Sequence, residues 1–401
     1  MYDVVVIGGG PIGSYTAGRL ASKGYQVLVL EKKQRAGESV CCTGIVGMEC
    51  VQRFDISGKL ILQTVDGASL YPPSRKELSI KRTSPQACIL DRVGFDINLA
   101  ENAQSAGAEY SFNSRVTDVA TDETGVTVSV SREAKQESIR ARAAVIATGF
   151  TPPLLRRIGL GGFEDYCVGA QVEVETRDAE NVEVYFGEPA PGFFSWIVPT
   201  QSPMARIGLL MRKTPGIYLT KWLKELKNQG RIASHRVEMS YGAIPLRPLT
   251  QTYGERLLVV GDAAGQVKPT SGGGIYYGLI GGEIAVNTLH RAFGEGDLSL
   301  KRLARYERGW KKQLGRELTV GYWARKIFER LNEKQIDRIF EIVKSGNIDE
   351  AMLSAPDLSF DWHSRTIIRL VRHQMVARTM KIIKLPFKTG NLDQPDEKSL
   401  E

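Results

Sequence analysis

The sequence predicts an α/β fold with three parts: a parallel-sheet domain, an antiparallel sheet inserted into it, and a helical carboxy-terminal region. A buried strand at the amino terminus leads through a glycine-rich turn into a helix, and a second glycine-rich segment near residue 260 repeats this order. Alternating apolar and polar residues between the two segments indicate strands. The 401 residues are enough for two interleaved domains.

The first glycine-rich segment follows an apolar strand that begins at Val4. Gly8, Gly10 and Gly13 have the spacing G-x-G-x-x-G, and a helix and a second strand ending at Glu31 follow. In this context the glycines allow a tight turn, close backbone approach to a pyrophosphate, and packing of helix on strand. A carboxylate at position 31 can accept hydrogen bonds from ribose hydroxyls. The segment therefore predicts a Rossmann-like dinucleotide site.

The second glycine-rich segment begins with a predicted buried strand at 256–260, and a helix is expected from about Gly273. Asp262 at the end of the strand can hold a sugar-alcohol hydroxyl. The amides of 272–274 lie along a helix amino terminus, whose positive end suits the N1 and O2 edge of a flavin. This segment therefore favours a flavin over other dinucleotides.

Together the two segments resemble the flavoprotein superfamily of para-hydroxybenzoate hydroxylase, in which FAD lies extended between them. The resemblance covers about the first three quarters of the chain and implies FAD as cofactor. The residues that it places in the FAD site are Gly8, Gly10, Pro11, Ile12, Gly13, Glu31, Lys32, Cys42, Gly44, Arg92, Val116, Gly149, Gly261, Asp262, Pro269, Gly272, Gly273, Gly274 and Ile275.

The predicted organisation interleaves the two domains. Residues 1–149 and 251–297 form the two parts of the FAD-binding domain, and 150–250 form the antiparallel-sheet substrate domain, with contributions from about 48–85. Residues 298–401 form a helical, basic region.

One predicted helix of the first domain spans 91–106. Its spacing places Leu90, Val93, Ile97 and Ala100 on one side. This side is expected to face the core.

Strands account for most of the remaining pattern. Residues 126–130 alternate as in a half-exposed strand, and 143–147 form a buried strand. From 150 to 240 further alternating strands are interrupted by one short amphipathic helix near 219–227. An antiparallel sheet that forms a pocket wall is the simplest arrangement of these strands.

The chain is basic, with a net charge of +8 and a pI of about 9.1. This charge suits an anionic partner, such as anionic lipid, an acidic electron carrier or nucleic acid. Because no nucleic-acid-binding signature is found, we expect no nucleic acid partner.

The five cysteines and four histidines lack zinc-site spacing or a disulfide framework, so we expect no metal.

The first strand begins almost at Met1, and no apolar run approaches the length of a membrane span, so we expect a cytoplasmic protein.

The segment 363–388 is a predicted basic amphipathic helix. It either lies on the inner face of an anionic membrane or packs on the protein body, and amphipathicity alone leaves both open. Its apolar residues are Ile367, Ile368, Leu370, Val371, Met375, Val376 and Met380, and its basic residues are Arg365, Arg369, Arg372, Arg378, Lys381 and Lys384.

A loop at 37–47 carries two adjacent cysteines, Cys41 and Cys42. A thiol near a flavin can donate a proton or contact the ring. Free cysteine is also among the most buried residue types, and sequence alone favours that simpler interpretation.

The segment Ala190–Pro199 favours a functional role for the cysteine loop over simple burial. Pro191, Phe194, Trp196 and Pro199 resemble the P-x-x-Y-x-W-x-F-P signature of the geranylgeranyl reductase family, although phenylalanine replaces the tyrosine and valine the phenylalanine. The loop Cys42-Thr43-Gly44, the segment 261–275 and the helix 306–318 resemble further segments of that family, in the same order.

The resemblance implies an FAD-dependent reductase that saturates isolated C=C bonds of geranylgeranyl chains on membrane lipid precursors. The reaction needs a hydride at one carbon and a proton at the other. Candidate catalytic residues are Cys42, then Cys41, then Tyr241. Phe193, Phe194, Trp196 and Pro199 are candidates for the apolar substrate site, which also has an ordinary interpretation as core.

The electron donor is left open among NADPH, ferredoxin and another small reductant. Related hydroxylases carry an Asp-Gly segment near the nicotinamide cofactor, and the corresponding residues 145–160 lack it. Three other functions also remain open at this point: an FAD-dependent monooxygenase or halogenase, a flavoprotein that passes electrons to a membrane quinone, and a nucleotide-binding protein without catalysis.

Overall fold

The computed structural model describes residues 1–133, 135–346, 348 and 359–379. The strands are β1 (Tyr2–Ile7), β2 (Val27–Leu30), β3 (Ile45–Gly47), β4 (Ile61–Val65), β5 (Gly67–Tyr71), β6 (Leu78–Lys81), β7 (Ala87–Leu90), β8 (Glu109–Ser111), β9 (Arg115–Thr121), β10 (Val126–Arg132), β11 (Lys135–Ile146), β12 (Tyr166–Glu175), β13 (Val182–Phe186), β14 (Phe194–Pro199), β15 (Met204–Met211), β16 (Ser240–Pro245), β17 (Tyr253–Gly254) and β18 (Leu257–Val259). The helices are α1 (Pro11–Ala21), α2 (Met48–Arg53), α3 (Arg92–Ser105), α4 (Pro152–Arg157), α5 (Pro215–Asn228), α6 (Ile275–Gly294), α7 (Leu300–Phe328), α8 (Glu333–Ser345), α9 (Ser364–Arg372) and α10 (Gln374–Thr379).

The first sheet has the order β17-β18-β11-β1-β2-β8, and its strands from β18 to β8 are parallel. The carboxy-terminal half of β11 lies between β1 and β18, whereas its amino-terminal half forms an antiparallel meander with β10 and β9. The strand cores are apolar and almost fully buried, as parallel strands covered by helices require. The Rossmann-like part of the predicted fold is confirmed.

The second sheet has the order β16-β12-β15-β14-β13-β5-β6. Its pairs are antiparallel except that of β13 with β5, which is parallel. Strand β5 joins this sheet from the segment 67–71, far earlier in the chain than its partner. The predicted contribution from 48–85 is thus divided, since β4 joins β3 and β7 in a separate small sheet. The inserted sheet is confirmed, and the residue boundaries of the domains stay a prediction.

Helix α3 forms where the sequence predicts a helix, and the Asp91 side chain caps it by accepting a hydrogen bond from the Gly94 amide at 3.0 Å. The predicted buried side is right for Leu90 and Ala100 and wrong for the other two residues. Val93 and Ile97 are exposed. The inward face instead carries Arg92, Phe95, Asp96, Ala100 and Ala103. Apolar periodicity missed this face because two of its residues are charged and form a buried ion pair with each other.

The described part of the basic carboxy-terminal segment packs on the protein body. Ile368, Val371 and Val376 are buried, and the helix is interrupted at His373 between α9 and α10. Met380, Lys381 and Lys384 lie outside the described residues. Among the described residues, no helix has the length and apolar character needed to cross a membrane.

The segment 359–364 crosses the second glycine-rich segment. Lys268 and Asp361 form an ion pair at 2.6 Å, with 5% and 1% of each residue exposed. His363 Nδ1 shares a hydrogen bond with the Thr270 hydroxyl at 2.7 Å, and the Tyr277 hydroxyl donates to the Asp361 carbonyl at 2.9 Å. These contacts attach residues after α8 to the loop before α6.

Replacing Asp361 with asparagine should therefore destabilise the fold by about 3–5 kcal/mol, because it leaves the buried ammonium group of Lys268 unpaired. Urea unfolding followed by tryptophan fluorescence measures this loss. Glu341→Gln is the matched control, since it breaks an exposed pair with Arg338 and should cost at most about 1 kcal/mol. Equal unfolding midpoints for the two variants would contradict a stabilising role for the buried pair.

Candidate functional site

The first glycine-rich turn has the tight geometry that the sequence predicts. Gly8 has φ +107°, and a Cβ atom on Gly13 would overlap the Gly8 carbonyl oxygen. The Gly9 amide donates to Glu31 Oε2 at 2.7 Å, and the Lys33 amide donates to Oε1 at 2.9 Å. Glu31 thus shapes the turn, and its remaining lone pairs are left for a ribose.

The second glycine-rich segment brings a carboxylate against a helix amino terminus. A Cβ atom on Gly274, the residue before α6, would lie 2.5 Å from Asp262 Oδ1. Burial raises the pKa of Asp262 to about 6, and the charge of Arg92 partly opposes this effect. The Gly272 amide donates to the Lys268 carbonyl at 2.8 Å. The role of Gly272 in the FAD site stays a prediction.

Arg92 is the best candidate among the cations for binding a phosphate group. It is 5% exposed and forms an ion pair with Asp96 at 2.8 Å. Its Nε and Nη1 atoms are nevertheless buried without a hydrogen-bond partner in the described part of the chain. Buried donors of this kind require an acceptor. The glycine turn, the unpaired guanidinium nitrogens and the Asp262 carboxylate together fit the pyrophosphate and ribityl groups of FAD.

The other predicted cofactor residues surround these groups unevenly. Ile12 packs between the glycines of α6 and the second segment, next to Gly261 and Gly278. Val116 lies on β9 and is partly buried, and Lys32 is exposed. The remaining ones are placed as follows: Gly10 and Pro11 at the start of α1, Ile275 at the start of α6, Gly149 after β11 with φ +64°, Pro269 buried against Gly321 of α7, and Gly273 beside Lys268.

The cysteine loop lies against the second sheet. Cys41 and Cys42 are half-buried, unlike Cys50, Cys88 and Cys167, which are buried. A Cβ atom on Gly242 of β16 would lie 3.6 Å from Cys41 Sγ, and Cys42 Sγ accepts a hydrogen bond from the Gly44 amide at 3.4 Å. Burial raises the pKa of Cys41, and a hydrogen bond with Ser240 lowers it in part.

Two side chains of the second sheet hold this loop. Arg206 of β15, 8% exposed, donates from Nη1 to the Thr43 carbonyl at 2.8 Å and to the Leu90 carbonyl at 3.2 Å. Gln171 of β12 donates from Nε2 to the Cys42 carbonyl at 3.3 Å. These residues were not predicted. A buried arginine within the apolar run ARIGLLM is the sequence signal that could have found the first of them.

Arg206 and Gln171 lie on one face of the second sheet, which we call the pocket face. Residues directly paired across strands share a face. The pairs that define it are Gln171 with Gly208 and Ser240, Gly169 with Leu210 and Gly242, Glu173 with Arg206, Cys167 with Ile244, and Trp196 with Gly208. A Cβ atom on Gly272 would lie 3.0 Å from Ile244, so the second glycine-rich segment also meets this face.

The predicted substrate residues are divided by this geometry. Phe194 and Trp196 are on the pocket face, with ring centroids 5.9 Å apart, and the buried indole nitrogen of Trp196 has no partner in the described chain. Pro199 is on the opposite face by alternation along β14. Phe193 precedes the strand and packs under the guanidinium of Arg325, 4.4 Å from its ring centroid.

Tyr241 lies on the opposite side of β16 from the cysteine loop. It alternates with Ser240 and Gly242 on β16 and therefore points away from the pocket face. Its hydroxyl lies beside Gly216 at the start of α5, and the side chain is 56% exposed. This placement gives no support to its predicted catalytic role.

Comparison with known proteins identifies the family. Residues 1–281 match the family model of the FAD binding domain. The chain is 31% identical over 355 residues to the digeranylgeranylglycerophospholipid reductase of Methanocaldococcus jannaschii, a match that covers 85% of this chain and 90% of the relative. Digeranylgeranylglycerophospholipid reductase 1 of Methanococcoides burtonii is also 31% identical, with 86% and 88% covered.

The chain belongs to the digeranylgeranylglycerophospholipid reductase family. It is therefore a flavin-dependent oxidoreductase, and FAD is its cofactor. The fold of this family member matches the crystal structure of a geranylgeranyl bacteriochlorophyll reductase-like protein from Thermoplasma acidophilum with a TM-score of 0.83, at 23% identity and with 95% and 98% of the two chains covered. A halogenase in complex with FAD shares the fold with a TM-score of 0.67 at 16% identity, covering 95% and 94%.

Gly274→Ala should reduce the FAD content of the purified protein at least tenfold, because the added methyl group displaces the Asp262 carboxylate. Gly294→Ala is the control at the other end of α6, where an added Cβ atom meets nothing within 4 Å. The flavin-to-protein absorbance ratio measures both. Full flavin content in Gly274→Ala would show that Asp262 is not needed at its present position.

Arg206→Gln should release the cysteine loop, because the shorter neutral side chain cannot reach both carbonyls. We expect faster alkylation of Cys41 and Cys42 by a water-soluble maleimide. Glu173→Gln is the control, since it removes the 3.4 Å ion pair of Arg206 and leaves both carbonyl contacts. Identical alkylation rates in the two variants would mean that Arg206 does not hold the loop.

Proposed function

We propose that this FAD-dependent reductase saturates isolated C=C bonds in the geranylgeranyl chains of membrane lipid precursors. Support comes from relatives that are named digeranylgeranylglycerophospholipid reductase, such as those of Methanocaldococcus jannaschii and Methanococcoides burtonii. The observation that carries the proposal is the position of the cysteine loop. Gly242 and Gln171 on the pocket face hold it beside the sheet that also presents Phe194 and Trp196.

The pocket face carries apolar side chains between the cysteine loop and the second glycine-rich segment. The ring of Trp196 lies across Gly208, where a Cβ atom would be 2.5 Å from the indole Cζ2 atom. Leu210 and Ile244 continue the apolar surface toward the second glycine-rich segment. Each methylene buried there contributes about 0.8 kcal/mol, so a long isoprenoid gains substantial binding energy without polar contacts.

Reduced FAD supplies a hydride equivalent when it is bound in the site described above. The chain must then supply one proton, because an unactivated alkene cannot hold a carbanion. We assign this proton to the cysteine loop. Burial raises the pKa of Cys41 above its ordinary value of 9.0. The thiol therefore keeps its proton to a higher pH, as a proton donor requires. Cys42 Sγ, hydrogen-bonded to the Gly44 amide, is the second candidate.

The partners of the reaction follow from the same proposal. An isoprenoid lipid is the substrate, and NADPH, ferredoxin or another small reductant supplies the electrons. Contact with the inner face of a membrane through the basic carboxy-terminal helix remains part of the prediction. The buried positions of Ile368 and Val371 weaken it for the described part of that helix.

The proposal is tested anaerobically. The protein is reduced with dithionite, a geranylgeranyl lipid is added, and flavin reoxidation is followed by absorbance together with mass spectrometry of the lipid. We expect reoxidation with a mass gain of two hydrogens for each bond reduced. A flavin that stays reduced until oxygen or quinone is added, with unchanged lipid, would favour an oxygenase or an electron-transfer flavoprotein instead.

Cys41→Ser and Cys42→Ser separate the two proton donors in this assay. If Cys41 is the acid, single-turnover reduction should fall as pH rises through its raised pKa, since only the protonated thiol donates. Cys41→Ser should then slow the reaction by about 100-fold and abolish the alkaline decline, in line with the usual size of general-acid effects. Cys88→Ser, at a buried thiol outside the loop, is the control. Unchanged rates in both loop variants would remove the cysteines from the mechanism.

A further inference from the structure

The outer side of α5 and the neighbouring residues 235–241 form a surface that the FAD site does not use. We call it the α5 surface and define it by Ile217, Met239 and Tyr241 at one end and Lys224, Lys227 and Arg236 at the other. Ile217 is 70% exposed, and with Tyr241 it lines an open groove of about 390 Å³. Ile217, Met239 and Tyr241 thus give this open groove an apolar lining.

The other end of the α5 surface is cationic. Lys224, Lys227 and Arg236 are exposed, and none forms an ion pair with a carboxylate in the described residues. Burial and then the charges of Lys227, Arg236 and Lys224 lower the pKa of His235, so these cations converge on one position. The exposed Glu238 offsets one of them. The excess positive charge favours an anionic partner.

The spacing of the two ends is large enough to span the headgroup region of one lipid leaflet. Ile217 and Lys224 are seven residues apart and lie on the same side of α5, about 10 Å along the helix axis. The headgroup region of one leaflet is about 5–7 Å thick. We infer that the α5 surface docks on an anionic membrane, with the apolar end among the acyl chains and the cations at the level of the phosphates.

The position of the α5 surface also connects it to the cysteine loop. β16 is the last strand of the second sheet, and its adjacent residues Tyr241 and Gly242 face opposite sides. Tyr241 lines the groove, whereas Gly242 adjoins Cys41. A lipid that leaves the membrane at the groove therefore has to pass only the edge strand β16 before it meets the cysteine loop. This connection rests on the proposed function, whereas docking itself does not.

The test is sedimentation of the FAD-loaded full chain with vesicles of 70% phosphatidylcholine and 30% phosphatidylglycerol. The variant Lys224→Ala/Lys227→Ala/Arg236→Ala should bind about 100-fold more weakly, since each cation near an anionic membrane contributes about fivefold. Ile217→Ser should bind about tenfold more weakly at unchanged charge. Both variants should reduce a detergent-dispersed geranylgeranyl lipid at the wild-type rate.

The matched control, Lys301→Ala/Arg305→Ala/Arg308→Ala, removes the same charge from the exposed side of α7 and should bind as the wild type does. Equal binding by the two triple variants would overturn the inference, because net charge alone would then account for binding. Loss of binding only in Arg365→Ala/Arg378→Ala would overturn it in favour of the carboxy-terminal helix.

An unchanged vesicle affinity, combined with slower reduction by an acidic protein electron donor, would assign the α5 surface to that carrier and overturn the membrane inference. Wild-type protein that binds the vesicles through the α5 surface but never reduces the dispersed lipid would support docking and overturn the proposed function. The two failures are therefore distinguishable.

Discussion

The arrangement of the site depends on one buried cation, Arg206, which reaches from the second sheet to two carbonyls of the first domain. The Thr43 carbonyl belongs to the cysteine loop, and the Leu90 carbonyl ends β7 two residues before Arg92. One guanidinium thus fixes both the loop proposed to donate a proton and the start of the helix that carries the phosphate candidate. Hydrogen bonds from charged donors are worth about 1.5–3 kcal/mol each.

A second constraint comes from residues far along the chain. The Tyr306 hydroxyl of α7 donates to the Val259 carbonyl at 2.7 Å and accepts from Gln266 at 2.8 Å, while Gln266 Oε1 accepts from the Gly261 amide at 2.8 Å. The Lys268–Asp361 pair holds the same segment from its other side. The glycine-rich loop that is predicted to face the flavin is therefore made rigid by later helices, because glycines alone give it freedom of conformation and no fixed shape.

The sequence was sufficient where local geometry decides structure. Glycine spacing, strand alternation and helical spacing are short-range features, and they predicted the turn, several strands of both sheets and α3. It failed where a tertiary partner decides. The buried side of α3 depends on an ion pair, the position of Tyr241 depends on the register of β16, and the parallel pairing of β5 joins segments more than 100 residues apart.

Strand β11 pairs with three strands, and its carboxy-terminal half is bordered on one side by β1 and on the other by β18. During synthesis β18 emerges roughly 110 residues after β11, which at about 5–20 residues per second is a delay of several seconds or more. For that time the nascent amino-terminal sheet has an unpaired apolar edge beside residues 144–146. Such an edge is a template for unwanted strand pairing. The inserted domain is translated in this interval, and we therefore expect this to be the period in which the nascent chain is most open to mispairing.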